Sequence, residues 1–170
     1  FKLFRYKQPI SLSEALPMLE NMGLTVHAER PSTLSPASGE PIWMHDFTML
    51  HKEGSSLVID EIRTNFQDAF EKIWFGDVEN DGFNRLVLGA ALTWREIVIM
   101  RACCKYLRLT NLTFSQEYME DTLAKNTDLA RLLVKLFHAR FVPSVADDKE
   151  ALSIVRQIYD GLDSVVNLDE

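Results

Sequence analysis

Apolar positions along this chain follow two regimes. Up to about residue 60 they alternate in short runs separated by Pro, Gly and Ser, whereas beyond Gly82 they recur at three- and four-residue spacing. Phe1 to Tyr6 is aromatic-rich and alternating, and reads as a strand. Ser11-Leu12-Ser13-Glu14 is a capping box, so a helix is predicted from about Leu12 to Met22, with Leu12, Ala15, Leu16, Leu19 and Met22 on its buried face. Pro17 lies beyond the first turn and interrupts the hydrogen-bond ladder, and Gly23 closes the helix in a left-handed conformation. Leu24 to Arg30 alternates with Leu24, Val26 and Ala28 on one side, which predicts a half-buried strand. Pro31 to Pro41 is rich in Ser, Pro and Gly and is predicted as a loop. Ile42 to His51 is again a strand, with Trp43, His45, Phe47 and Met49 sharing a face, and Lys52 to Ser56 is a turn. A second helix follows from about Ile59 to Phe75, carried by Ile62, Phe66, Ala69, Phe70 and Ile73.

The order β-α-β-β-α is a ferredoxin-like unit without its closing strand, so the sheet is either three-stranded or completed from elsewhere. After Gly82 only helices are predicted. One runs from Phe83 to Ala91. A second capping box, Thr93-Trp94-Arg95-Glu96, opens another to about Leu109, and Thr113-Phe114-Ser115-Gln116 opens a third to about Ala124. Asn126 starts a helix that Pro143 stops near Phe141. Asp147 or Asp148 caps the last, which carries a stripe of Ala151, Val155, Ile158, Leu162 and Val165. The fold class is therefore α+β: a sheet-containing domain over residues 1–76 and an all-helical bundle segment over 77–170.

Composition narrows the partners more than the fold. The 170 residues suffice for one core or two small units. With 18 basic and 25 acidic residues the net charge is −7, which argues against nucleic acid and gives no reason to expect an anionic membrane surface. No apolar run approaches the ~18 residues of a membrane span. Cys103 and Cys104 are adjacent and have no distant partner in the chain, which fits reduced thiols in a cytosolic protein. The first residue is Phe1 and the chain opens directly into strand-like sequence, as expected of a piece of a longer polypeptide.

Candidate chemistry is sparse. His27, His45, His51 and His138 lack metal-ligand spacing, and His45 and Asp46, as neighbours on a strand, point to opposite faces. A structural or surface role is the plainer reading of all four. Arg101 and Lys105 flank the cysteine pair and would lower a thiol pKa, yet the apolar helix around it favours buried, inert cysteines. Asn80 to Arg85 has neither the alternating oxygen ligands of a calcium loop nor the glycines and Lys-Ser/Thr of a phosphate loop, and reads as a turn into a helix. Arg101, Lys105 and Arg108 fall within about 60° on their helix. With Arg85, Arg95, Arg131 and Arg140 nearby in sequence, and Glu117, Glu120 and Asp121 available, a salt-bridge network or solvated stripe is favoured over an anion site. No catalytic, cofactor-binding or metal residue is assigned.

Several stretches together resemble the large, bacterial-type NAD-specific glutamate dehydrogenases. They are SLSEALPMLENMGLTVHAERP around the first capped helix, WMHDF from Trp43 to Phe47, and ENDGFNRLVLGAALTWREIVIMRACCKYLR from Glu79 to Arg108. FSQEYMEDTL, LARLLVKLFHARF and the ending VVNLDE extend the likeness to nearly the whole chain. The resemblance implies an ACT-like regulatory domain followed by a helical segment. It places the dehydrogenase lysine and aspartate and the dinucleotide-binding glycines downstream of Glu170, so NAD belongs to the parent enzyme and not to this piece. It further implies a cytoplasmic homo-oligomer, partnered by its catalytic domain and by other ACT-like units, with any effector near Lys7 to Ser13. The alternative is a free-standing amino-acid sensor or helical adaptor.

Overall fold

The computed structural model describes residues 1–37, 39–52, 58–110 and 113–165. The chain forms two compact units, Phe1–Asp81 and Gly82–Glu170.

In the first unit, β1 (Lys2–Tyr6), α1 (Leu12–Asn21), β2 (Leu24–Leu34), β3 (Ile42–His51) and α2 (Ile59–Trp74) follow the predicted order. The sheet is three-stranded and antiparallel, in the order β1-β3-β2. Leu3 pairs with His45 and Tyr6 with Ile42, while Leu24 and Leu34 of β2 pair with His51 and Ile42 at the two ends of β3. The helices cover one face. Ala15 and Leu19 of α1, Met22 just past its end, and Phe66, Ala69, Phe70 and Ile73 of α2 are buried with Phe47 of β3. The Phe1 ring bridges the layers, stacked on Phe47 and edge-on to Phe66 and Phe70.

Three details of this unit depart from the sequence reading. β2 runs on through residues 31–34, which the Ser/Pro composition assigns to a loop. It is an edge strand, where a proline such as Pro31 is tolerated if its missing N–H is not needed by the partner. A bulge between Val26 and Ala28 resets the alternation, so Ala28 is exposed and Glu29 turns inward in its place. Ser11 does stand at the start of α1, but its hydroxyl contacts Ser13 Oγ at 2.7 Å and makes no cap bond, so the first capping box does not form. Pro17 stays within α1 on its exposed side, where a carbonyl released from the ladder can be hydrated. Gly23 takes the expected left-handed turn at φ 83°. The turn predicted to Ser56 lies, beyond Lys52, outside the described residues.

The second unit is helical. The single helix expected over Phe83 to Ala91 is instead a 3₁₀ turn, Gly82–Arg85, followed by a four-residue helix, α3 (Leu86–Gly89). Ala91 then adopts φ 52°, and the Leu92 N–H returns to the Leu86 carbonyl. This compact knot buries Phe83, Leu86, Val87 and Leu88, so its side chains serve as core although its backbone is not one helix. α4 (Trp94–Leu109) begins with the complete Thr93/Glu96 capping box. α5 (Gln116–Lys125) is capped by Ser115, which accepts from the Tyr118 N–H, and not by Thr113. α6 (Thr127–Phe141) follows Asn126, whose side chain donates back to the Thr122 carbonyl instead of capping α6. α7 (Asp148–Leu162) is capped by Asp147 and packs on α6 through Ala139, Ala151 and Ile154. Ile154, not predicted on the buried stripe, is buried, whereas Leu162, predicted there, is exposed. A Cβ added at Gly161 would lie 2.7 Å from Leu129 Cδ2, so a larger residue there would require the Leu129 side chain to shift.

The contrast between the two boxes is measurable. Thr93→Ala is expected to lower unfolding stability by about 1 kcal/mol, and Ser11→Ala by only a few tenths. Urea titration of the two variants checks this, and equal losses would contradict the cap assignment.

Candidate functional site

The polar groups that the sequence offers are dispersed. His27 is exposed at the β2 bulge, His51 ends β3 and His138 lies edge-on to Phe137 in α6. Among the described residues no three His, Cys, Asp or Glu side chains gather as a metal site, and no helix is long and apolar enough to cross a membrane.

His45 differs from the other histidines. It is buried on the helix-facing side of β3, with its Nδ1 2.6 Å from Glu29 Oε1. Asp46 faces the other way and pairs with Lys2 at 3.5 Å. The His45–Glu29 pair is invisible to strict alternation because the bulge at His27 brings Glu29 inward.

The β1–α1 connection, Lys7 to Ser13, is closed by its own neighbours. Lys7 sits at φ 69° and donates its N–H to Pro41 O at 2.9 Å. Arg5 donates to Pro9 O and to Gln8 Oε1, and its guanidinium lies 5.8 Å from the Trp74 ring centroid. Beside this turn, β1 pairs only with β3, so its outer edge is open among the described residues.

In the helical unit the basic residues divide. Arg101 is buried, donates to Asn84 Oδ1 at 3.1 Å, and stacks over Phe83. Lys105 and Arg108 point outward, and Arg108 donates weakly to Gln116. Arg85 donates to the Gly82 carbonyl and pairs with Asp121 at 2.7 Å. Buried Glu120 accepts from Gln116, and a Cβ added at Gly82 would run into its Oε2. The Gly82–Arg85 turn is thus closely packed by polar side chains of its own unit. Arg131 pairs with Asp128 and Arg95 lies over Trp94.

Two adjoining recesses of the helical unit are mostly apolar. A cavity of about 500 Å³ opens between α4, α5 and α6, lined by Met100, Leu107, Met119, Leu133, Phe137 and neighbours. Arg140 is the one charged side chain lining it among the described residues. A second recess, of about 570 Å³, adjoins it and shares Ile99, Cys103, Leu107 and Phe137. The cysteines straddle this region and are not alike. Cys103 is exposed, contrary to the expectation of two buried thiols, while Cys104 is buried. Adjacent helical positions point about 100° apart, so one can be core while the other is surface. Burial, with smaller contributions from Cys103 and Glu120, raises the Cys104 thiol from 9.0 to about 11.

This architecture can be set beside known proteins. A family model described as glutamate dehydrogenase, ACT3 domain matches residues 1–62, and one described as glutamate dehydrogenase, helical motif 3 matches residues 78–143. The chain belongs to the glutamate dehydrogenase family. The NAD-specific glutamate dehydrogenase of Halomonas elongata is 43% identical over 143 residues, covering 84% of this chain and 9% of that protein. That of Pseudomonas aeruginosa is 41% identical over 174 residues, covering 99% of this chain and 11% of that protein. The Mycobacterium tuberculosis protein is 38% identical over 167 residues, covering 94% of this chain and 10% of that protein. The chain therefore spans about a tenth of the length of the curated relatives it matches. The ACT-like and helical expectations both agree with the matched regions.

Two measurements test the local chemistry. His45→Ala leaves the inward Glu29 carboxyl without its partner and is expected to cost about 2 kcal/mol or more, whereas the paired His45→Leu and Glu29→Leu change recovers much of the loss. A double-mutant cycle by urea unfolding decides. In the 170-residue chain at pH 8, Cys103 is expected to react with a maleimide while Cys104 stays protected. Because the folded state holds the Cys104 proton more tightly than the unfolded chain, its contribution to stability is intact below pH 9.0 and declines as pH rises through about 11. Peptide mapping and alkaline unfolding check both statements.

Proposed function

We propose that this chain is a non-catalytic, architectural and regulatory segment of a longer NAD-dependent glutamate dehydrogenase. In that enzyme the parent reaction is oxidative deamination of L-glutamate to 2-oxoglutarate and ammonia, with reduction of NAD by groups outside this segment. The proposed division of labour is an ACT-like domain over residues 1–76 and a helical segment over 77–170. What supports this reading is a family match in two consecutive parts, within relatives roughly ten times as long.

The open edge of β1 supplies the physical rationale. Backbone N–H and C=O groups left on a sheet edge attract a further strand. Pairing with another ACT-like unit, in the same polypeptide or another subunit of a cytoplasmic homo-oligomer, would use that edge. An effector amino acid, where one binds, would sit at the Lys7–Ser13 connection and act by preferring one arrangement of the units. The helical segment would carry that preference toward the catalytic domain.

The 170-residue segment is expected to form no NADH from glutamate, while the full-length polypeptide does. Turnover by the segment would overturn the non-catalytic reading. Calorimetry against a panel of amino acids separates the alternative, since tight binding by the isolated segment would favour a free-standing sensor.

A further inference from the structure

We propose that an amphipathic helix from the polypeptide outside these 170 residues lies in the apolar trough formed by α4, α5 and α6. The inference rests on the reading that this chain is a segment of a longer enzyme.

The shape of the trough selects the occupant. Its two recesses, about 500 and 570 Å³, share Ile99, Cys103, Leu107 and Phe137 and so form one elongated depression. A small ligand is usually held in a concave pocket with several placed polar groups. Here Tyr118, Thr122 and Arg140 give the first recess a few polar points, but the floor continues as apolar surface into the second recess, and an extended apolar floor of this kind fits the helix-in-groove mode of recognition.

α4 carries the same message in its pattern. Ile97, Met100 and Cys104 bury one side in the core of the helical unit. Val98, Ala102, Tyr106 and Leu109 form a second apolar stripe at helical spacing on the other side, and Tyr106 and Leu109 are 67% and 82% exposed. A helix apolar on both sides belongs between neighbours on both sides. Phe141, 66% exposed, extends the surface from α6. A contiguous apolar surface of this kind marks an interaction site.

The source of the occupant follows from length. About nine-tenths of each relative lies outside the region this chain matches. A segment tethered in the same polypeptide competes at high effective concentration against any free partner. The Arg140 guanidinium, the one charge lining the trough among the described residues, selects an Asp or Glu on the incoming helix.

The test uses the full-length polypeptide, with Tyr106→p-benzoylphenylalanine, in a preparation mixing isotopically light and heavy subunits. Irradiation is expected to cross-link Tyr106's replacement to a peptide of the same subunit outside residues 1–170, with apolar residues at helical spacing and an acidic residue. A light–heavy product would make the occupant a second copy and overturn the proposal. A cross-link within residues 1–170, or no peptide adduct, would do the same. In the unsubstituted protein, Cys103 is expected to react with a maleimide at least about tenfold more slowly than in urea, and Leu107→Glu to restore about tenfold of that rate. Free reactivity of Cys103, or protection lost on extracting a bound amphiphile, would also overturn it. Glutamate-dependent NADH formation in the same samples separates the two readings. An inactive full-length polypeptide sinks the parentage, whereas an active one lacking the intrachain cross-link sinks only the covering helix.

Discussion

In the first unit, everything else is referred to β3. Both of its edges are used, by β1 and by β2, and its inward side chains reach the helices. Trp43, His45, Phe47 and Met49 must share one face for Phe47 to meet the helices, and a slip of one residue would put all four in solvent. That constraint propagates outward. β1 is held in register by Leu3 opposite His45, and the His27 bulge lets β2 present Glu29 to the same histidine. The buried polar pair therefore ties the edge strand to the central one at the place where alternation is interrupted. An imidazole and a carboxylate in a core add little stability over apolar residues of similar size. What they impose is a penalty on any register that separates them.

The sheet has three strands among the described residues, yet the core of the unit is filled. Its helix-facing side is filled by Phe1, Phe47, Phe66 and Phe70, so the core does not depend on a fourth strand. What a fourth strand would satisfy is backbone at the β1 edge. On the outer face, Phe4 and Tyr6 are more than half exposed and stand opposite Met44 and Ile42. Core and edge thus make separate demands. The first is met inside the unit, and the second gives the sheet a physical reason to take a partner.

Element order and type were legible because each rests on a local period. α2 and β3 fall where alternation and helical spacing put them. What escaped was settled by neighbours. Whether Ser11 caps α1 turns on a competing hydroxyl at Ser13, and the extension of β2 past Pro31 turns on β3 lying alongside. A bulge moves Glu29 inward although nothing in the alternation marks it, and the α6 contact buries Ala151 and Ile154 near the start of α7 while Leu162 at its end stays exposed. The break of the Phe83–Ala91 stretch into a 3₁₀ turn and a short helix is equally non-local, with Asn84 held by Arg101 seventeen positions on. The candidate surface was half visible. α4 reads as apolar over most of its circumference, but the trough beside it exists only once α5 and α6 are in place.

The same surface bears on what kind of protein this is. A free-standing sensor must remain soluble with every face it presents, and monomeric soluble proteins rarely keep large contiguous apolar patches uncovered. Here Leu107 of α4 and Leu133 and Phe141 of α6, all exposed, line one recess, and exposed Tyr106 lines the recess beside it. Burying apolar surface yields roughly 25 cal/mol per Å², so covering even a few such side chains is worth several kcal/mol, comparable with the whole stability of a small domain. A chain carrying that much uncommitted driving force is better understood as one layer of a larger core than as a finished molecule. The net charge of −7 sharpens the argument, because acidic residues occupy other surfaces while Arg140 is the only charge lining the trough among the described residues. An apolar floor with one cation at its rim asks for an apolar helix carrying an acid, and the longer relatives offer the length in which such a helix can lie.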